Sequence, residues 1–129
     1  MNKDSQSMRP GSTRKRDSGN LERFGMIAQS FAGVVELDHF GRPSFRVNEK
    51  IFATVWDENH VNIMLAPVRI IEMVHDNPKV CKEFYWGRQL RCLSVDLRFA
   101  RVKFLSDLLG EAWDRKRKKP RRNMEAERS

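Results

Sequence analysis

Cysteine is scarce: Cys81 and Cys92 are the two in 129 residues. That is too few for a disulfide framework, and nothing else in the chain calls for an oxidising compartment. Long apolar runs are missing. The longest, Ile63-Met64-Leu65-Ala66-Pro67-Val68, is broken by a proline and followed by Arg69, well short of the ~18 residues a membrane span requires. The N-terminal stretch carries cations with no hydrophobic segment behind them, unlike a secretory signal. Catalytic signatures are absent too: there is no HExxH, GxSxG, Walker A, GxGxxG or CxxC. His39, His60 and His75 stand far apart, beside no spaced acidic or cysteine partner, so neither metal nor other cofactor is expected. These absences point to a cytoplasmic, non-membrane, non-enzymatic chain.

What the chain has in excess is positive charge, a formal +8. Residues 1–20 hold five Lys/Arg against two Asp/Glu, and residues 115–129 hold eight against two. The stretch 21–114 holds twelve against thirteen, a net of −1. The whole excess therefore lies in the two ends, where a polyanion would feel its long-range attraction. Both ends read as disordered basic tails. Met1 and Met8 are the large apolar side chains of 1–20, too little surface to offset ordering entropy. The block Arg115-Lys116-Arg117-Lys118-Lys119-Pro120-Arg121-Arg122 is like-charged and interrupted by proline. It reads as a solvated helix extension as far as Lys119, as a localisation signal, or, the favoured reading, as electrostatic attachment to a polyanion. The folded domain is expected over 21–114.

Periodicity organises that domain. Asn20 is an expected N-cap, and Leu21, Phe24, Ile27, Ala28 and Phe31 recur at helical spacing over 21–32, ended by Gly33. Period-two segments follow at 34–40, 44–47 and 50–56, with Asn48-Glu49 as a tight turn, and then Val61, Ile63 and Leu65 alternate. Pro67 opens a helix that Asn77-Pro78 closes, so 67–76 is helical. Leu93, Val95 and Leu97 alternate again, and Phe99, Val102, Leu105, Leu108, Leu109, Ala112 and Trp113 form a helical stripe over 99–114. The expected class is α+β: an antiparallel sheet with helices on one face, in the order α, three or four strands, α, one or two strands, α.

Phe31-Ala32-Gly33-Val34-Val35-Glu36, Phe40-Gly41-Arg42-Pro43-Ser44-Phe45-Arg46-Val47 and Lys50-Ile51-Phe52-Ala53 resemble the hallmark of the MmcQ/YjbR family, most specifically across 44–53. The resemblance covers most of 21–114. Glu49 stands where that family often has glycine, and Leu93-Ser94-Val95 lacks its usual late tryptophan. The resemblance implies a CyaY-like α+β fold similar to secretion chaperones. It also implies DNA binding through a double wing, two β-hairpins presented side by side.

The candidate DNA contacts are Arg42, Arg46 and Lys50 on the first hairpin, Arg88 and Arg91 on the later strands, and Arg115, Lys116, Arg117, Lys118, Lys119, Arg121 and Arg122 at the end. By alternation Arg46 shares a face with Ser44 and Asn48, which either meets phosphates or is simply solvated. Lys50 reads either as a contact or as a buried ion-paired lysine. Phe84-Tyr85-Trp86 beside Arg88 and Arg91 reads as a base-stacking platform or, preferably, as aromatics that start a strand and cap the helix layer. Cys92, Phe104 and Trp113 are expected in the core. The rival function is a protein-interaction or chaperone-like module that uses the exposed sheet face.

Overall fold

The computed structural model describes residues 12–118. Its elements run α1 (Ser12–Gln29), β1 (Val35–His39), β2 (Arg42–Val47), β3 (Lys50–Val55), β4 (His60–Met64), α2 (Pro67–Asp76), β5 (Cys81–Trp86), β6 (Gln89–Asp96) and α3 (Val102–Arg117). The strands form one antiparallel sheet in the order β1-β2-β3-β4-β6-β5. The chain is α+β, as its periodicity indicates. α3 packs across β2, β3 and β4, α2 lies on β5 and β6, and α1 leans on α3. Arg69 of α2 reaches Glu111 of α3 at 3.1 Å, which joins these two helices on one side of the sheet.

Helix α2 spans the expected residues, with Pro67 in its first turn and the Asn77 N–H donating to the Met73 carbonyl at 2.8 Å. The outer helices differ at their ends. α1 begins at Ser12, so Asn20 lies inside it, not at its cap, and its side-chain oxygen accepts from Arg23 at 2.6 Å. The apolar rhythm starts only at Leu21, so a reading by burial starts the helix late. α3 begins at Val102, not Phe99. The Asp96 carboxylate accepts the Arg98 N–H at 3.0 Å, and the Phe99 N–H reaches the Asp96 carbonyl at 3.1 Å, a local turn that holds off the helix. At its far end α3 continues to Arg117. Arg115, Lys116 and Arg117 therefore stand on a helix whose C-terminal dipole favours cations, not on a disordered tail.

The core lies between sheet and helices. Phe24 of α1 meets Phe45 of β2 edge-on at 5.7 Å between ring centres. Trp113 stacks on Phe31 at 5.5 Å and donates its indole N–H to the Ala32 carbonyl at 2.9 Å, so a half-buried tryptophan keeps its polar handle satisfied. Cys81 and Cys92 are buried free thiols, each pushed up to about 11 by that burial.

Two bulges interrupt the alternation. Phe45 pairs with Ala53 but Arg46 pairs with Ile51, so Phe52 is an extra residue in β3. Phe84 pairs with Cys92 but Tyr85 pairs with Leu90, so Arg91 is an extra residue in β6. Such insertions bend the strand and re-aim its side chains. Both strands flank β4. Because cross-strand partners share a face, Lys50, opposite the buried Val47, lies toward the helices. Arg46 instead lies on the open face, where its Nε donates to Ser44 Oγ at 3.3 Å.

The β2–β3 turn carries Asn48 and Glu49 at φ of 51° and 67°. Two consecutive positive values make the turn that matches strand twist, which asparagine tolerates and glutamate does not. Glu49→Gly is therefore expected to stabilise the protein by about 0.5–1 kcal/mol, the relief of strain outweighing the freedom glycine adds to the unfolded chain. A thermal melt checks this: an unchanged or lower midpoint would mean that Glu49 sits in the turn without strain.

Candidate functional site

Antiparallel wiring places the ends of β2, β4 and β5 and the starts of β3 and β6 along one edge of the sheet. Two hairpin tips project there, Asn48-Glu49 and Gly87-Arg88, with β4 between them. Their centres are three strand spacings apart, about 14 Å. The last turn of α3 is tied to the same edge. Asn48 Nδ2 donates to the Arg117 carbonyl at 2.5 Å, and Arg115 Nη1 donates to the Met64 carbonyl at 3.3 Å. A cleft of about 410 Å³ opens where β4 stops. Met64, Leu65, Pro67 and Leu90 supply its apolar surface, and Gln89, Arg91, Arg115 and Lys116 its polar one.

This edge collects charge without compensation. Burial first, and then Arg115, Arg91 and Lys50, hold the Lys116 ammonium below the ordinary lysine range. Among the described residues no carboxylate forms an ion pair with any of these four cations. Arg117 and Lys118 differ, since both pair with Asp114, at 2.8 and 3.4 Å. Together they hold that carboxyl below its usual range, the Arg117 hydrogen bond contributing most.

The depressed Lys116 value has a consequence for stability. Below its folded value the ammonium is charged in both states and disfavours folding. Between the folded value and that of an ordinary lysine the unfolded chain binds more protons, so stability rises with pH across that window. Lys116→Met is therefore expected to raise the melting temperature at neutral pH, an advantage that fades at pH above the ordinary lysine value. Equal melting temperatures at neutral pH would show that Lys116 is not repelled.

The structure gathers Lys50, Arg91, Arg115 and Lys116 and separates them from other candidates. Arg88 is exposed in the second tip. Arg42 lies at the opposite edge, its guanidinium 4.5 Å over Trp56. Arg46 is on the open face, so it does not share a surface with Lys50. Lys50 is exposed and forms no ion pair among the described residues, which overturns the buried ion-pair reading. Lys119, Arg121 and Arg122 lie outside the described residues. Phe84-Tyr85-Trp86 ends a strand rather than starting one and does not cap the helix layer. Phe84 meets Trp56 edge-on at 5.1 Å, Tyr85 and Trp86 are about half exposed, and the Arg91 guanidinium is 5.7 Å from the Trp86 ring centre. The apolar cleft surface was not foreseen, because Met64, Leu65 and Leu90 read as ordinary strand residues.

His60 is held by Asp57 at 2.9 Å and faces Asp96 at 3.6 Å. Among the described residues no three His, Cys, Asp or Glu side chains gather as a metal site, and no helix is long and apolar enough to cross a membrane.

A family model described as YjbR matches residues 29–115. Among solved structures, the crystal structure of Deinococcus radiodurans protein DR2400, with family-model domain DUF419, is similar at a TM-score of 0.63 and 16% identity, covering 72% of this chain and 75% of that one. At that identity the likeness is one of fold. No curated protein matches the chain.

Proposed function

The chain belongs to the YjbR family, and from that premise we propose that it is a non-enzymatic, cytoplasmic DNA-binding protein. It uses the cationic edge of the sheet as a double wing. The observation that carries this reading is the convergence of Lys50, Arg91, Arg115 and Lys116, free of carboxylate partners among the described residues, between two hairpin tips. Cations left without internal partners are available to phosphates, and each phosphate neutralised releases counterions from the duplex. Two tips about 14 Å apart are close to the ~12 Å width of a major groove, so they suit flanking backbone more than reading bases. The terminal cations Lys119, Arg121 and Arg122 add three further charges for phosphates.

A salt-series titration of the full chain on duplex DNA tests this. Four edge contacts alone give a log–log slope of about −3.6, at ~0.9 per contact. Binding that ignores salt, or no binding at low salt, would remove the reading. Truncation after Lys118 is expected to reduce the slope by up to about 2.7, for three further contacts, and to weaken all duplex sequences alike. An unchanged slope would exclude the terminal cations as anchors.

One observation favours the rival reading of a protein-interaction module. Phe40, at the tip of the β1–β2 hairpin, is 88% exposed, and Val35 and Leu37 are about half exposed along the edge strand β1. This surface lies away from the cationic cleft. Retention of full duplex binding by Phe40→Ser would separate the two surfaces, and loss of it would place β1 within the DNA contact.

A further inference from the structure

We propose that the cleft at the end of β4 takes a single unstacked deoxynucleotide, its phosphate on Arg91, Arg115 and Lys116 and its base against Pro67 and Leu90 over the buried Met64 and Leu65, so that the protein prefers single-stranded or frayed DNA ends to continuous duplex. This inference rests on the reading of the edge as a DNA surface and goes beyond it.

The argument starts from the shape of the charge. Cations meant for a duplex backbone alone need only an exposed surface, because the duplex keeps its bases inside the stack. Here three of the four instead line a concavity of about 410 Å³, within the ~300–1,000 Å³ of small-molecule sites, which combine apolar walls with a few placed polar groups. An inorganic phosphate would leave the exposed Pro67 and the half-buried Leu90 wet. An uncharged apolar ligand would leave the three cations without partners. A nucleotide satisfies both halves.

Donor capacity remains for such a ligand. Arg115 spends one N–H on the Met64 carbonyl, and a guanidinium has five. Arg91 spends its Nε on Gln89 Oε1 at 2.9 Å. That bond fixes the Gln89 amide with its oxygen toward the arginine, leaving its NH₂ for an acceptor on a base edge, a group an acyl chain would not use. The position of Arg91 follows from the β6 bulge, which breaks strand alternation at that residue. Burial first and then its cationic neighbours hold Lys116 down, and a bound phosphate would offset the neighbours' repulsion.

The test uses the full chain. It is titrated with dAMP, inorganic phosphate, deoxyadenosine and decanoate, and then with a blunt hairpin duplex and the same duplex bearing a short single-stranded adenine overhang. We expect dAMP to bind at least about tenfold more tightly than the other three small molecules, or about 1.4 kcal/mol. The overhang should be bound about tenfold more tightly than the blunt end, and excess dAMP should remove that advantage. Leu90→Trp, which fills the cleft, should lose the preference. Should that variant fail to fold, the dAMP competition reads the same property in the unaltered chain. Equal affinity for dAMP and phosphate, tighter binding of decanoate, or equal affinity for the two DNA ends would each overturn the cleft proposal. Blunt-duplex binding with its salt slope would stand through all of these. Binding of dAMP without binding of either DNA would overturn the DNA surface and with it the preference for ends.

Discussion

Replacing Lys50, Arg91, Arg115 and Lys116 together by glutamine is expected to reduce the log–log salt slope of duplex binding by about 3.6, four contacts at ~0.9 each. Affinity should fall for every duplex sequence alike, because phosphate contacts carry no base information. The fold should not suffer. None of the four forms an ion pair among the described residues, Lys50 and Arg91 are exposed, and Lys116 is held below its ordinary range by its burial and by the other three. The melting temperature should hold or rise. A folded variant with an unreduced slope would move the DNA surface elsewhere on the molecule. A large fall in melting temperature would instead make the cluster structural.

Phe45→Ala is expected to cost about 3–5 kcal/mol, the range for deleting a buried aromatic from a core that cannot close the gap. Phe45 is 2% exposed and meets Phe24 edge-on at 5.7 Å. Gly25 lies so near that a β-carbon added there would come within 3.7 Å of the Phe45 ring. The ring therefore joins α1 to β2 at a place where the helix has no side chain to swing into the cavity. Against a total stability of about 5–15 kcal/mol, the variant should melt at least ~10 °C lower and lose protection in α1 first. A loss under about 1 kcal/mol in a chemical melt would mean that α1 rearranges freely over the sheet.

Much of this was legible in the chain, and the reasons differ by element. Helix α2 was read to the residue because proline at one end and Asn-Pro at the other are backbone signals independent of packing. The turn at Asn48-Glu49 was legible from asparagine's tolerance of positive φ alone. The ends of α1 and α3 were not, since apolar spacing marks the buried part of a helix and is silent where the helix runs on in solvent. The cationic cluster was legible only as a set of suspects. Charge counting placed the excess at the ends and left 21–114 neutral, yet two of the four gathered cations, Lys50 and Arg91, come from that neutral stretch. What joins them to Arg115 and Lys116 is strand order, with β4 between the hairpins, and no local pattern encodes order. Arg46 and Lys50 were both candidate contacts of the first hairpin, yet they pair with Ile51 and Val47 on the turn side of the register shift at Phe52, so alternation itself puts them on opposite faces.

That shift bears on how relatives of this protein should be compared. The two-residue turn pairs Lys50 with Val47 and so sets its face, whereas the faces of Ala53 and Thr54 depend on the one additional residue in β3. A homologue that keeps this turn but lacks the insertion would hold its lysine in place and turn the residues aligned with Ala53 and Thr54 to the opposite faces of the sheet. A homologue with the insertion and an arginine would preserve the surface despite the mismatch. Column identity is thus a poor guide to inherited function along β3 and β6. Counting residues between Lys50, the partner of Val47, and Ala53, the partner of Phe45, and between Leu90 and Cys92, is the better one.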